Sequence, residues 1–206
     1  MESALSAGAF TPGLKLIETL LWDGAAYPRL NLHLARLEAS AARLGWPCDM
    51  AAVRTALRVT GHACRMRLTL DANGTIATET AALPPTKPLW DLGPAPETLH
   101  SADPWLRLKT TRRPAYDRAR AALPPGLDEV IFANERAEVC DGTITTLFFD
   151  RGAGLRTPPL TCGLLPGVLR AEIAAPEEIL LTSDLPQVRL WVGNALRGLI
   201  PAVWGC

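Results

Sequence analysis

A lysine ends a short apolar run and stands just before a proline-opened helix pattern in Leu108-Lys109-Thr110-Thr111-Arg112-Arg113-Pro114-Ala115-Tyr116-Asp117. Among the 21 basic residues only three are lysines: Lys15, Lys87 and Lys109. A chain that otherwise writes arginine has lysine where strand turns into helix, with small hydroxyl residues beside it. The difference is chemical. Arginine supplies charge and phosphate contacts, whereas a desolvated lysine also forms a Schiff base. The ordinary reading, a solvated lysine in a basic loop, fits most lysines.

Three other groups would suit a reactive amine. Asp141 sits beside Gly142 between two apolar runs, where a side chain can be aimed out of a sheet. A carboxylate there could pair with a protonated ring nitrogen, or the two residues could form an Asp-Gly hairpin turn. Leu165-Pro166-Gly167-Val168-Leu169 opens a helix, ordinary in itself, whose first N–H groups attract phosphate. Arg36, on an amphipathic helix, could supply the cation for that phosphate or be a solvated surface arginine. Phosphate, ring nitrogen and aldehyde are the three handles of pyridoxal 5'-phosphate (PLP), and the chain offers a partner for each.

Periodicity predicts the elements that must carry these residues. Leu14–Trp22 reads as a strand, and Asp23-Gly24 as a hairpin turn into Ala26–Leu30. Asn31 caps a helix through Leu44, stopped by Gly45, with Leu34, Leu37, Ala41 and Leu44 toward a core. His33 and Arg36, three apart, share a flank of that helix. Asp49 caps a second helix ending near Gly61. Cys64–Leu70 and Thr75–Leu83 alternate as strands about Asp71-Ala72-Asn73-Gly74. Prolines at 84, 85, 88, 94 and 96 exclude regular structure there and suggest a domain boundary. Beyond it the pattern predicts strands at Trp105–Leu108, Asp128–Ala133, Ala137–Cys140, Thr145–Phe149, Leu155–Thr157, Glu178–Leu181 and Arg189–Val192. Helices are expected over Pro114–Leu123 and from Gly167 to about Ala174, with a break at Asp141-Gly142-Thr143.

Composition bounds the rest. At 206 residues the chain has room for one large or two small domains, and 48% hydrophobic content fits a sizeable core. A formal net charge of zero gives no electrostatic case for nucleic acid or an anionic membrane. The five cysteines, Cys48, Cys64, Cys140, Cys162 and Cys206, are odd in number with no C-x-x-C pair, and the three histidines are isolated. Reduced thiols, no metal site and a cytoplasmic location are the expectation. Met1–Pro12 lacks the basic and apolar regions of a signal peptide, and no stretch is long enough to span a bilayer.

The order of the pieces carries a resemblance. His33-Leu34-Ala35-Arg36-Leu37 comes first, and Lys109-Thr110-Thr111-x-Arg113-x-x-Tyr116-Asp117 follows. Asn134-Glu135-Arg136-Ala137-Glu138-Val139-Cys140-Asp141-Gly142-Thr143-Ile144 and Thr157-Pro158-Pro159-Leu160-x-Cys162-Gly163-Leu164-Leu165-Pro166-Gly167-x-x-Arg170 complete the set. This layout resembles the class IV aminotransferases, the fold-type IV PLP enzymes. The lysine segment, the Asn-Glu-Arg segment and Gly193-Asn194-Ala195-x-Arg197-Gly198 look most like the aminodeoxychorismate lyase branch. The resemblance runs from about Leu16 to Ala202.

It implies a mixed α+β (α/β) fold of the D-amino-acid aminotransferase type. Two small domains, 1–100 and 101–206, would have the cofactor cleft between them and the Schiff-base lysine in the second. It implies PLP as cofactor, with Lys109 as the covalent and proton-moving residue and Thr19 assisting a lyase reaction. Arg36, with the backbone of Val168, Leu169, Asn194 and Ala195, would cup the phosphate. Asp141 would face the pyridine nitrogen and Tyr116 the ring oxygen. Two departures stand out: Asp141 replaces the family's usual glutamate, one methylene longer, and Thr145-Thr146 replaces a small-residue-plus-asparagine pair. The implied activity is conversion of 4-amino-4-deoxychorismate to 4-aminobenzoate and pyruvate, a folate-branch step. The alternatives are transamination of D- or branched-chain amino acids, or a degenerate non-catalytic member. A small-molecule amine substrate and a homodimer are expected. Arg67, Arg113 and Arg197 are candidate clamps for substrate carboxylates.

Overall fold

The computed structural model describes residues 2–205, the first three of them as backbone only. The fold is mixed α+β and divides into two units, residues 1–85 with 108–112 and residues 86–107 with 113–206. The chain first passes from one unit to the other at Pro85/Thr86. The segment carrying Lys109 groups with the first unit, because it adds main-chain hydrogen bonds along the edge of that unit's sheet.

In the first unit, strands β1 (Lys15–Trp22), β2 (Cys64–Asp71) and β3 (Ile76–Ala81) form an antiparallel sheet in the order β1-β2-β3. Alternation sends Leu16, Glu18 and Leu20 to one face with Met66, Leu68 and Leu70, all buried. Helix α1 covers Glu2–Gly8, and α2 (Leu30–Leu44) ends at Gly45, whose φ of 68° is the left-handed stop that glycine suits. The buried residues of α2 include the expected Leu34, Leu37, Ala41 and Leu44, and also His33 and Ser40. Helix α3 (Met50–Ala56) is capped by Asp49, which accepts from the N–H groups of Ala51 and Ala52. It stops well before Gly61.

The expected strand over Ala26–Leu30 does not form. Asp23 Oδ1 accepts from Ala25 N–H and Ala26 N–H, at 2.8 and 2.7 Å, which winds the chain into a tight turn. Helix α2 then starts two residues earlier than expected, capped by Arg29 in the left-handed region (φ 67°) rather than by Asn31.

In the second unit six strands close into a barrel in the order β4-β5-β6-β7-β8-β9. They are β4 (Trp90–Pro94), β5 (Glu129–Ala133), β6 (Val139–Gly142), β7 (Thr146–Asp150), β8 (Arg189–Asn194) and β9 (Gly198–Trp204). Two helices, α4 (Pro114–Ala121) and α5 (Val168–Ile173), accompany them. Leu92, Ile131, Val139, Leu147, Phe149, Leu190, Val192 and Ile200 form one apolar cluster; Val130, Phe132, Cys140, Cys162, Leu164 and Ala119 of α4 form another. Phe149 is fully buried. Phe149→Ala should therefore cost about 3–5 kcal/mol in a urea titration, whereas a loss under about 1 kcal/mol would mean that the barrel interior is loosely packed.

Several expectations change here. The proline-punctuated stretch contains β4, because the prolines flank Trp90–Gly93 and leave its N–H groups available for parallel ladders with β5 and β9. Residues 104–107 are a 3-10 turn rather than a strand, started by Asp103 Oδ1 accepting from Trp105 N–H at 2.9 Å. The 155–157 and 178–181 segments make only isolated bridges. β9 was not expected, since Pro201 interrupts its pattern; it precedes the β4 ladder, which opens at Trp90↔Ala202. Asp141-Gly142 lies within β6, and the turn is Thr143–Thr145. Cys48, Cys64, Cys140 and Cys162 are free thiols, while Cys206 lies outside the described residues. Among the described residues no helix is long and apolar enough to cross a membrane.

Candidate active site

Lys109 is placed by main-chain hydrogen bonds. Ile17 N–H donates to the Lys109 carbonyl at 2.8 Å, and Thr111 N–H to the Lys15 carbonyl at 2.9 Å, on either side of the Leu16↔Thr110 bridge. Thr111 Oγ1 accepts from Lys15 N–H and donates to the Gly13 carbonyl, while Thr110 is buried. The two threonines beside the lysine are thus its anchors. Bridged residues share a face, so Lys109 falls on the opposite face from Leu16 and Thr110, the face of Ile17 and Thr19. Arg67 pairs with Thr19 across β1–β2 and lies 3.6 Å from Glu79. The first unit thus sets Lys109 and Thr19 on one sheet face.

Arg36 is held on the other side, through Glu18. The Glu18 carboxylate accepts from Arg36 Nε at 2.8 Å and Nη2 at 2.6 Å, and meets His33 Nδ1 at 2.6 Å. Burial pushes Glu18 up, but the charge of Arg36 and hydrogen bonds from both partners outweigh it and hold Glu18 at about 2. The flank shared by His33 and Arg36 was expected; the acid they share was not. A glutamate inside the apolar run Leu16–Leu20 was the available signal, since a charge buried in a strand needs a partner.

In the second unit the expected residues converge on Thr146, the first residue of β7. Thr146 pairs with Asp141 on one side and with Gly193 on the other. A Cβ at Gly167 would lie 2.6 Å from Thr146 Oγ1, so the start of α5 is pressed against the same residue. A Cβ at Gly193 would lie 2.5 Å from Leu169 Cδ2 and 2.4 Å from the Gly198 carbonyl. Glycine at these two positions lets Asp141, Val168, Leu169, Asn194 and Ala195 gather although they lie far apart along the chain. The Asn194 side chain is spent on structure: Nδ2 donates to the Ile144 carbonyl, and Oδ1 accepts from Leu196 and Arg197 N–H.

Asp141 is buried and hydrogen-bonded by neutral donors, Tyr116 Oη at 3.0 Å and Leu165 N–H at 3.1 Å. Burial dominates these bonds and lifts its carboxyl to about 7. Tyr116 is raised too, first by its own burial and then by Asp141. Its ring packs on Phe132, with centroids 4.8 Å apart, and under the Arg113 guanidinium at 5.3 Å. Arg113 also donates to the Thr143 carbonyl and, at 2.9 Å, to Asp117. It braces Tyr116 and the turn after Asp141. Buried Glu129 completes that brace, accepting from Thr143 Oγ1, Ile144 N–H and Thr145 Oγ1. Glu129 carries no local mark in the sequence that sets it apart from other acids. Among the described residues no cluster of His, Cys, Asp and Glu could hold a metal ion.

Residues 15–203 match the family described as amino-transferase class IV. The chain belongs to this family. Class IV amino-transferases are PLP-dependent enzymes, and this chain is one by its membership. A solved structure from Mesorhizobium loti, named a "Putative amino-acid aminotransferase", is 45% identical, with 93% of this chain and 100% of that chain covered and a TM-score of 0.87. A "Putative aminodeoxychorismate lyase" of Schizosaccharomyces pombe is 30% identical over 174 residues, 77% of this chain and 72% of that protein. The 4-amino-4-deoxychorismate lyase structure from Pseudomonas aeruginosa shares the fold at 22% identity, with a TM-score of 0.80 over 92% of this chain and 82% of that one.

The donor set suits the family's cofactor. Asp141 is a buried carboxylate whose hydrogen-bond donors are both neutral, so a protonated ring nitrogen would supply the cation that stabilises its ionised form. Helix α5 is capped by a glycine, so no side chain of the cap residue answers the N–H groups of its first turn.

Proposed function

We propose that this class IV enzyme is a PLP-dependent lyase that converts 4-amino-4-deoxychorismate to 4-aminobenzoate and pyruvate. One observation carries the choice of reaction: the sheet of the first unit sets the Thr19 hydroxyl on the face of Lys109, where a lyase needs a neutral donor beside its base.

In this reading Lys109 Nζ would hold the cofactor at its aldehyde carbon. Asp141 would take the ring nitrogen and Tyr116 the ring oxygen, and Arg36 would take the phosphate with the backbone at Val168, Leu169, Asn194 and Ala195. The bound cofactor supplies an electron sink for the carbon that bears the substrate's amine. Lys109 Nζ, uncharged, would take the proton from that carbon, its position set by the main chain on either side. Thr19 Oγ1 donates toward the ether oxygen of the departing enolpyruvyl group, and the ring left behind becomes aromatic. Asp141, ionised, would keep a proton on the ring nitrogen.

The test is pyruvate release from aminodeoxychorismate by the loaded protein with no 2-oxo acid added. Thr19→Val should lower this rate by about 10²-fold or more. A rate that needs a 2-oxo acid and ignores Thr19→Val would establish a second reading, amino-acid transamination. The name and 45% identity of the Mesorhizobium loti relative favour that second reading.

A further inference from the structure

Glu18 occupies an expensive position. It lies on the apolar face of β1 between Leu16 and Leu20, opposite Leu68, and is 3% exposed. An unpaired carboxylate there would cost several kcal/mol. It is met by three donors on two oxygens: Arg36 Nε and Nη2 as a fork, and His33 Nδ1 at 2.6 Å. One turn of α2 supplies both residues, since positions three apart share a helix flank. His33 Nε2 is buried without a hydrogen-bond partner. A histidine chosen only to fill space would be better replaced by leucine; this one is retained with a ring nitrogen unsatisfied. Its contribution is the Nδ1–H that it donates to Glu18.

A forked carboxylate fixes the plane of a guanidinium as well as its position. With Nε and the inner N–H of Nη2 on Glu18, the opposite edge, Nη1 and the outer N–H of Nη2, faces away from the acid. We infer that Glu18, steadied by His33, is the positioning residue for Arg36, holding its outward edge in the one orientation that receives the phosphate of the cofactor. This rests on the reading of Arg36 as the phosphate residue. Glu18 acts through Arg36 and touches neither substrate nor cofactor.

The test compares two ligands on the cofactor-free protein, PLP and phosphate-free pyridoxal, each titrated by absorbance with thermal unfolding recorded alongside. Wild type should prefer PLP strongly. Arg36→Ala and Glu18→Gln should each weaken PLP by about tenfold or more, the scale of one well-aligned charge-assisted contact, while pyridoxal binding stays within about threefold. Glu18→Gln leaves the Arg36 charge underpaired and is the variant at risk of unfolding. His33→Ala removes only the third donor and should lower the PLP-to-pyridoxal preference several-fold, and His33→Asn, which restores a donor near Nδ1, should recover it. If Arg36→Ala removes the preference while the Glu18 and His33 variants keep it, Glu18 does not position Arg36. If the Glu18 and His33 variants weaken both ligands alike, the cluster merely holds the helix on the sheet. An unchanged preference in Arg36→Ala would instead overturn the phosphate role of Arg36, and the inference with it.

Discussion

Lys109→Ala should give a folded protein that is colourless after soaking with PLP and at least about 10³-fold slower than wild type, the scale of losing a positioned base together with a covalent anchor. Loss of activity alone would be weak evidence if the substitution also unfolded the site. The structure argues that it does not, because the segment is held by the Lys109 carbonyl, the Thr111 N–H and the Thr111 hydroxyl, none of which the substitution touches. Thermal unfolding should therefore change little. Lys109→Arg sharpens the comparison, since it keeps the cation and removes the chemistry. It too should stay colourless, and borohydride should bleach and fix the colour of wild type alone. An alanine variant that still takes up colour stable to dialysis and fixable by borohydride would show that another amine holds the cofactor.

Asp141→Asn should make the cofactor-free protein more stable near pH 8 while lowering turnover by about 10²-fold or more. The folded carboxyl is raised from 3.8 to about 7, so the folded state keeps a proton that the unfolded state has released. Stability is therefore greatest below about pH 4 and falls as pH rises toward 7, with a slope of at most about 1.4 kcal/mol per pH unit. Above about pH 7 the whole penalty remains. Asparagine retains the shape, and its Oδ1 can accept from either Leu165 N–H or Tyr116 Oη; it never carries the buried charge, so its stability profile should be flat across that window. Bound cofactor should flatten the wild-type profile too, because a ring cation stabilises the ionised acid. Parallel profiles for wild type and variant, measured without cofactor by thermal unfolding from about pH 4 to 8, would mean that no buried charge forms at Asp141. Unchanged turnover would remove Asp141 from the chemistry.

Much of the fold could be read from local pattern. The β1–β2–β3 alternation, the stripe on α2 with its Gly45 stop, the Asp49 cap and the proline start of α4 are set by neighbours within a few residues. The two missed strands share one cause. β4 and β9 lie in stretches marked by proline or flanked by it, and their strand character comes from ladders to distant partners, Trp90↔Ala202 and Leu92↔Glu129 among them. Asp141 looked like part of a turn because Asp-Gly commonly makes one. The strand continues through Gly142 because Glu129, Arg113 and Asn194 gather Thr143, Ile144 and Thr145 into the turn instead.

The candidate site divides in the same way. Lys109, Arg36, Asp141 and Pro166-Gly167 could be picked out and ordered from residue type and spacing, because the chemistry of an amine, a cation and an acid belongs to each side chain. Their settings could not. That Thr110 and Thr111 anchor the lysine, that Glu18, itself met by His33, grips Arg36, and that Thr146 gathers Asp141, Gly167 and Gly193 are facts of burial and pairing. Burial and pairing arise between residues far apart in the chain, and they set the ionisation of Glu18 and Asp141 in opposite directions. A carboxylate's identity is written in one residue; its charge depends on what folding packs around it.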